Sequence, residues 1–139
     1  MNKGKILGID YGTVRTGLAI TDELQIIASP LQTVETKKAI ETIEQLIKKE
    51  KIIAIVVGEA RHLNQQASEI TAIQDKFCKT LANKFPEMAI HRINEMYTSK
   101  MAAQSMLVSG MKKSDRAKKE NLDMMSAAII LQSYLDSPR

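Results

Sequence analysis

The stretch that decides the fold runs Lys5-Ile6-Leu7-Gly8-Ile9-Asp10-Tyr11-Gly12-Thr13-Val14-Arg15-Thr16-Gly17-Leu18-Ala19-Ile20-Thr21. Lys5 to Asp10 is a compact apolar run that ends in an acid, and Arg15 to Thr21 is a second strand-like run. Asp10-Tyr11-Gly12-Thr13 has the turn chemistry to join them, so the two runs read as a hairpin. Burying an ionised carboxylate costs on the order of several kcal/mol unless a cation or backbone donors pair with it. Asp10 is therefore a candidate site residue; the alternative is a turn aspartate accepting from the amides of Gly12 and Thr13.

Downstream, Ser29-Pro30 breaks the pattern, and Leu31 to Val34 is expected as a third short strand, with Thr36 as cap of the following helix. Ala39, Ile40, Ile43, Leu46 and Ile47 recur at helical spacing, while lysines and glutamates fill the other face. Ile52 to Val57 is almost entirely β-branched and closes on Gly58, the pattern of a strand buried on both sides in a parallel sheet. Residues 59–66 read as a loop. From Ala67, the positions Ile70, Ile73, Phe77, Leu81 and Phe85 trace a second helix that stops at Pro86. Met88 to Ile93 is another strand, Thr98 caps a third helix to about Val108, and a last helix from about Leu122 to Leu135 packs deep against the sheet.

The order is three strands, then helix, strand, helix, strand, helix, helix. An antiparallel three-strand meander followed by right-handed crossovers gives an α/β fold, a mixed five-stranded sheet flanked by helices on both faces, as one domain over 1–139. The chain has 139 residues, 44% of them hydrophobic, enough for a core. A lone Cys78 excludes a disulfide framework and a paired thiol or zinc site within the chain, which suits a reducing compartment. The N-terminus carries no signal-peptide pattern and no stretch reads as a membrane helix, so the expectation is a cytoplasmic protein. The net charge of +4 is compatible with a polyanionic partner and does not require one.

Two further acids deserve weighing beside Asp10. Glu95 follows a predicted strand, and in open α/β sheets ligands collect where strands end; the alternative is a solvated loop acid. Asp123 stands at the predicted start of the last helix, where first-turn capping is the competing role. Taken together, three carboxylates from separate elements can supply the oxygen ligands that hard divalent cations need. Two such ions roughly 3.5–4 Å apart activate water at a phosphodiester and stabilise the leaving oxygen, so no cysteine, histidine or serine nucleophile is required. His62 and His91 have no neighbouring ligand pattern and read as surface or packing residues.

The segment Gly8 to Asp22 closely resembles the opening of the YqgF family, described as Holliday-junction resolvases and as pre-16S rRNA nucleases. The similarity continues at Val56-Val57-Gly58 with Leu63-Asn64, at Glu95 with Thr98-Ser99, and from Asp123 through Ala127-Ala128-Ile129-Ile130-Leu131 to Asp136. This resemblance implies a ribonuclease H-like fold, a catalytic and metal-binding triad of Asp10, Glu95 and Asp123, and Mg²⁺ or Mn²⁺ as the metal. It also implies that Tyr11, Gly12, Thr13 and Arg15 shape the mouth of a nucleic-acid site, with Arg15 free to meet a phosphate bidentately; a solvated hairpin arginine is the alternative. Two departures stand out: the family's Asp-Glu-Arg reads Asn94-Glu95-Met96, and its Pro-Leu-Asn-Met-Asp-Gly-like loop is replaced by Ala60 to Gln66. Met96 cannot donate to a phosphate as an arginine does.

Lys112, Lys113, Arg116, Lys118 and Lys119 fall within eight positions, opposed by Asp115 and Glu120. This run either reaches over the site to the nucleic-acid backbone or is a solvated loop. The resemblance implies a nuclease that processes the 5′ end of pre-16S rRNA, or one that cuts four-way DNA junctions. Junction cutting needs a homodimer, whereas a monomer suffices for RNA. A non-catalytic nucleic-acid-binding module is a third reading. The Asp-Tyr-Gly-Thr loop also resembles the phosphate turn of actin-like ATPases and sugar kinases, but those need two such domains and this chain supplies one.

Overall fold

The structure, a computed structural model, describes residues 4–60, 66–95 and 119–137; at residues 59–60, 66–70, 94–95 and 119–121 it describes the backbone alone. Strands β1 (Lys5–Tyr11) and β2 (Arg15–Thr21) form the expected hairpin, pairing Leu7 with Ile20 through Tyr11 with Thr16. β3 (Ala28–Glu35) continues the antiparallel meander against β2. It starts before Ser29-Pro30, where the sequence suggested a break. β3 is an edge strand, and the register shifts between Leu18 and Ala19, opposite Pro30, so the missing N–H is accommodated at an irregularity of the edge.

β4 (Ile52–Ala60) and β5 (Ala89–Glu95) add in parallel, giving the order β3-β2-β1-β4-β5. Ile55, Val56 and Val57 are fully buried, as a strand covered on both faces requires. β4 runs to Ala60, into the expected 59–66 loop, and residues 61–65 lie outside the described residues.

Strand alternation divides the core into two layers. Leu7, Ile9, Leu18, Ile55 and Val57 face α1 (Ala39–Lys49) and α2 (Gln66–Lys84), meeting Ala39, Ile43, Phe77 and Leu81. Ile6, Ala19, Ala54 and Val56 face α3 (Lys119–Asp136), meeting Ala127, Ile130 and Leu131. The α2 face is rotated from its expected position, since Ile73 is 39% exposed while Gln74 is buried. α2 ends as Phe85 donates to the Leu81 carbonyl at 2.8 Å, just ahead of Pro86. The helix expected over Thr98 to Val108 lies outside the described residues.

Candidate active site

Asp10 is the penultimate residue of β1 and shares the α3 face with Ile6 and Gly8 by strand alternation. Directly opposite it in the β1–β2 ladder stands Gly17. A Cβ built on Gly17 would lie 2.0 Å from the Asp123 carbonyl oxygen, so α3 rests on the β2 backbone there, and only glycine permits the approach. Neighbouring pairs across an antiparallel ladder have Cα atoms about 4.5–5.5 Å apart. Asp10 and Asp123 are thus brought to one place across a residue without a side chain. Gly8 on β1 and Gly58 on β4 extend the platform, with built Cβ atoms at 2.7 Å from Leu131 Cβ and 2.3 Å from Ile130 Cδ1.

Asp123 is not at the start of its helix. α3 begins at Lys119, which leaves Asp123 beyond the first-turn capping positions, and its carboxylate is held from outside the helix. Arg15 Nε donates to Asp123 Oδ2 at 2.9 Å. Arg15 is therefore engaged with one of the three candidate acids, not free as the resemblance implies.

Glu95 is the last residue of β5, inside the strand instead of after it. The pairs Ile9 with Val57 and Val57 with Arg92 put Asp10 about level with Ile93, and Glu95 two residues further on. Ile93 packs in the α3 layer, so position 95 shares its face. The β1 and β5 backbones are separated by β4, about 10 Å in all. The backbone thus sets Asp10, Glu95 and Asp123 at one end of one face. Among the described residues no group of three or more His, Cys, Asp and Glu side chains is gathered to hold an ion, and the Glu95 side chain is not among those described. The donor types themselves, carboxylates at the ends of β1 and β5 and on α3, fit a hard divalent cation.

The other expected site residues are divided. Gly12 and Thr13 lie in the turn between β1 and β2, with Thr13 exposed. The Tyr11 ring lies on the opposite face, stacked on Phe77 with centroids 4.4 Å apart. Lys119 opens α3, while Lys112, Lys113, Arg116 and Lys118 lie outside the described residues, as does Met96. His91 packs against Tyr134 with ring centroids 5.2 Å apart.

Thr36 was expected to cap a helix. It opens a 3-10 turn instead, α1 starts at Ala39 with no side-chain cap, and the Thr36 hydroxyl donates to the Gly12 carbonyl at 2.5 Å. Nothing in local sequence announces that bond. The close approach at Gly17 did have a signal, a glycine in the interior of a strand.

A family model described as RuvX, Holliday junction resolvase, matches residues 4–137. A "Putative pre-16S rRNA nuclease" of Flavobacterium psychrophilum is 47% identical over 131 residues, covering 94% of this chain and 96% of the relative. A protein of the same name from Bacteroides thetaiotaomicron is 41% identical over 135 residues, covering 97% and 98%. Among solved structures, T. thermophilus RuvC in complex with Holliday junction substrate matches with a TM-score of 0.58 at 17% identity, over 94% of this chain and 93% of that one. Fowlpox virus resolvase with Holliday junction DNA matches with a TM-score of 0.59 at 11% identity, over 95% and 97%. At these identities the likeness establishes the fold, which is ribonuclease H-like.

Proposed function

This chain belongs to the RuvX family, the YqgF family of the sequence resemblance, and is a nuclease; from that premise we propose that it processes the 5′ end of pre-16S rRNA with Asp10, Glu95 and Asp123 as metal-binding acids. The substrate reading rests on relatives named for pre-16S rRNA, and the observation that supports the metal-binding part is the approach of the Asp123 backbone to Gly17, directly opposite Asp10. Carboxylates from separate elements set close together supply oxygen ligands for a cation, and Arg15 already brings one positive charge to Asp123.

Mg²⁺ or Mn²⁺ held there would supply Lewis acidity and an activated water for phosphodiester hydrolysis. The chain's own part is to fix the acids and the substrate. Arg15 holds the Asp123 carboxylate through Nε, and its other guanidinium donors suit a phosphate oxygen. The basic run Lys112 to Lys119 suits the nucleic-acid backbone. Among the described residues no helix is long and apolar enough to cross a membrane, and a ribosomal RNA precursor as substrate puts the protein in the cytoplasm.

Cutting of four-way DNA junctions is the second reading, favoured by the family's own description. It requires two symmetric cuts and hence a homodimer, whereas RNA processing proceeds with a monomer. The test is cleavage by the purified chain of an RNA spanning the 5′ junction of 16S rRNA, and of a synthetic four-way junction, in Mn²⁺, Mg²⁺ or EDTA. Metal-dependent cutting of the RNA is expected, lost in Asp10→Asn while a thermal melt shows the fold retained. Preferential cutting of the junction by a dimer selects the second reading. A folded chain that cuts neither substrate overturns both.

A further inference from the structure

We infer that Thr36 is a positioning residue for Asp10, and that it works with Gln74 by holding, from the opposite face of the sheet, the two carbonyls that follow the acid. The inference rests on the metal-binding reading of Asp10 given above. Immediately beyond Asp10 the chain leaves β1 for a turn whose Val14 is 69% exposed, so the turn has little packing of its own to fix it. Thr36 supplies what packing does not. Its backbone N–H donates to the Val14 carbonyl at 2.9 Å, and its hydroxyl donates to the Gly12 carbonyl at 2.5 Å. A threonine hydroxyl has one proton, so the 2.8 Å contact between Thr16 Oγ1 and Thr36 Oγ1 has buried Thr16 as the donor.

Thr36 leads into α1 through its 3-10 turn, and Ala39 and Ile43 of α1 are fully buried. It thereby ties the turn to the rigid core. Gln74 adds a weaker second arm from α2, with Nε2 3.5 Å from the Tyr11 carbonyl. Both arms come from the α1 and α2 side, whereas Asp10 lies on the α3 face. The backbone that carries the acid is thus held from the face opposite its side chain. Loss of a group that orients a metal-binding residue typically costs about 10–100-fold in metal affinity.

The test is Mn²⁺ binding to the full chain by titration calorimetry, well below the melting temperature, with melting curves of each variant. Thr36→Val keeps the shape and removes the hydroxyl; it is expected to weaken Mn²⁺ binding about tenfold or more, while Thr36→Ser stays within about twofold of the unaltered chain. Asp10→Asn is the control. If it loses Mn²⁺ and Thr36→Val does not, the positioning role is overturned and the site reading stands. If Asp10→Asn binds as the unaltered chain does, or that chain takes up no Mn²⁺, the site reading fails and takes this inference with it. Should Thr36→Val not fold, Gln74→Met decides: weakened Mn²⁺ binding with an undiminished melting temperature supports the clamp, and unchanged binding overturns it.

Discussion

Arg15 Nε and Asp123 Oδ2 are 2.9 Å apart, a bond between residues separated by 108 positions that ties the start of β2 to α3. The side chains are 36% and 27% exposed, so water screens the pair and its worth to stability is small. Arg15→Ala is expected to cost about 1 kcal/mol or less, and a double-mutant cycle with Asp123→Asn to give a coupling of about 0.2–1 kcal/mol. Cleavage is expected to suffer more. Loss of a charge-assisted bond to phosphate, about 1.5–3 kcal/mol, lowers kcat/KM by roughly 10–100-fold. Arg15→Lys does not restore it, because an ammonium cannot hold Asp123 and reach a phosphate at once. Urea unfolding and steady-state cleavage of the same variants check both halves.

Gly17→Ala tests the close approach that joins the acids. The added methyl would sit 2.0 Å from the Asp123 carbonyl oxygen and 2.8 Å from the Met124 nitrogen, both backbone atoms that no rotamer change can move. α3 must lift, at a cost of about 1–3 kcal/mol or more, and Asp123 moves with it. A fall in melting temperature together with weaker metal binding is expected. A variant with unaltered stability and unaltered cleavage would show that α3 does not press on β2 at this point.

The fold was largely legible because its strands are strongly patterned and the resemblance was specific. The β1–β2 hairpin, the doubly buried Ile55-Val56-Val57 and the two-faced sheet all follow from apolar spacing. What sequence missed was set by tertiary contact. Pro30 stays in a strand because β3 is at the edge, and Ile73 turns outward while the polar Gln74 takes the buried position. Asp10 and Asp123 could be singled out as acids, but their shared location depends on the glycine opposite Asp10. Local sequence makes the Thr36 hydroxyl a helix cap, the nearby use of such a group, whereas its partner in the fold lies 24 positions away.

Gln74 carries a cost that can be removed. Its Oε1 is buried without a hydrogen-bond partner among the described residues, and a buried unsatisfied acceptor costs about 1–3 kcal/mol. Gln74→Met keeps the length of the side chain and takes away that acceptor, against the loss of one long bond to Tyr11. The melting temperature is therefore expected to hold or rise by a few degrees. A fall of the size usual for a disrupted core would mean that Oε1 is satisfied in solution.

Stability is expected to be flat across neutral pH and to fall at both ends, for reasons located at two surface contacts. The Ile27 and Ile26 amides donate to Asp22 Oδ1 and hold its carboxyl below the usual aspartate value. Lys5 Nζ lies 2.7 Å from Glu50 Oε2, which lowers the Glu50 carboxyl and raises the Lys5 ammonium above 10.5. A carboxyl lowered in the folded state adds stability above its unfolded value, and that contribution is lost as pH falls through the folded one. The Lys5 contribution is complete below 10.5 and is lost as pH rises through the higher folded value. Urea midpoints should thus decline as pH falls below the ordinary carboxylate values, and less steeply in Asp22→Asn, which keeps an acceptor for both amides but has no proton to take up. Glu50→Gln should flatten the acid limb and the alkaline limb together, since one pair feeds both. An acid limb unchanged in both variants would show that neither the Asp22 turn nor the Lys5–Glu50 pair sets the acid sensitivity.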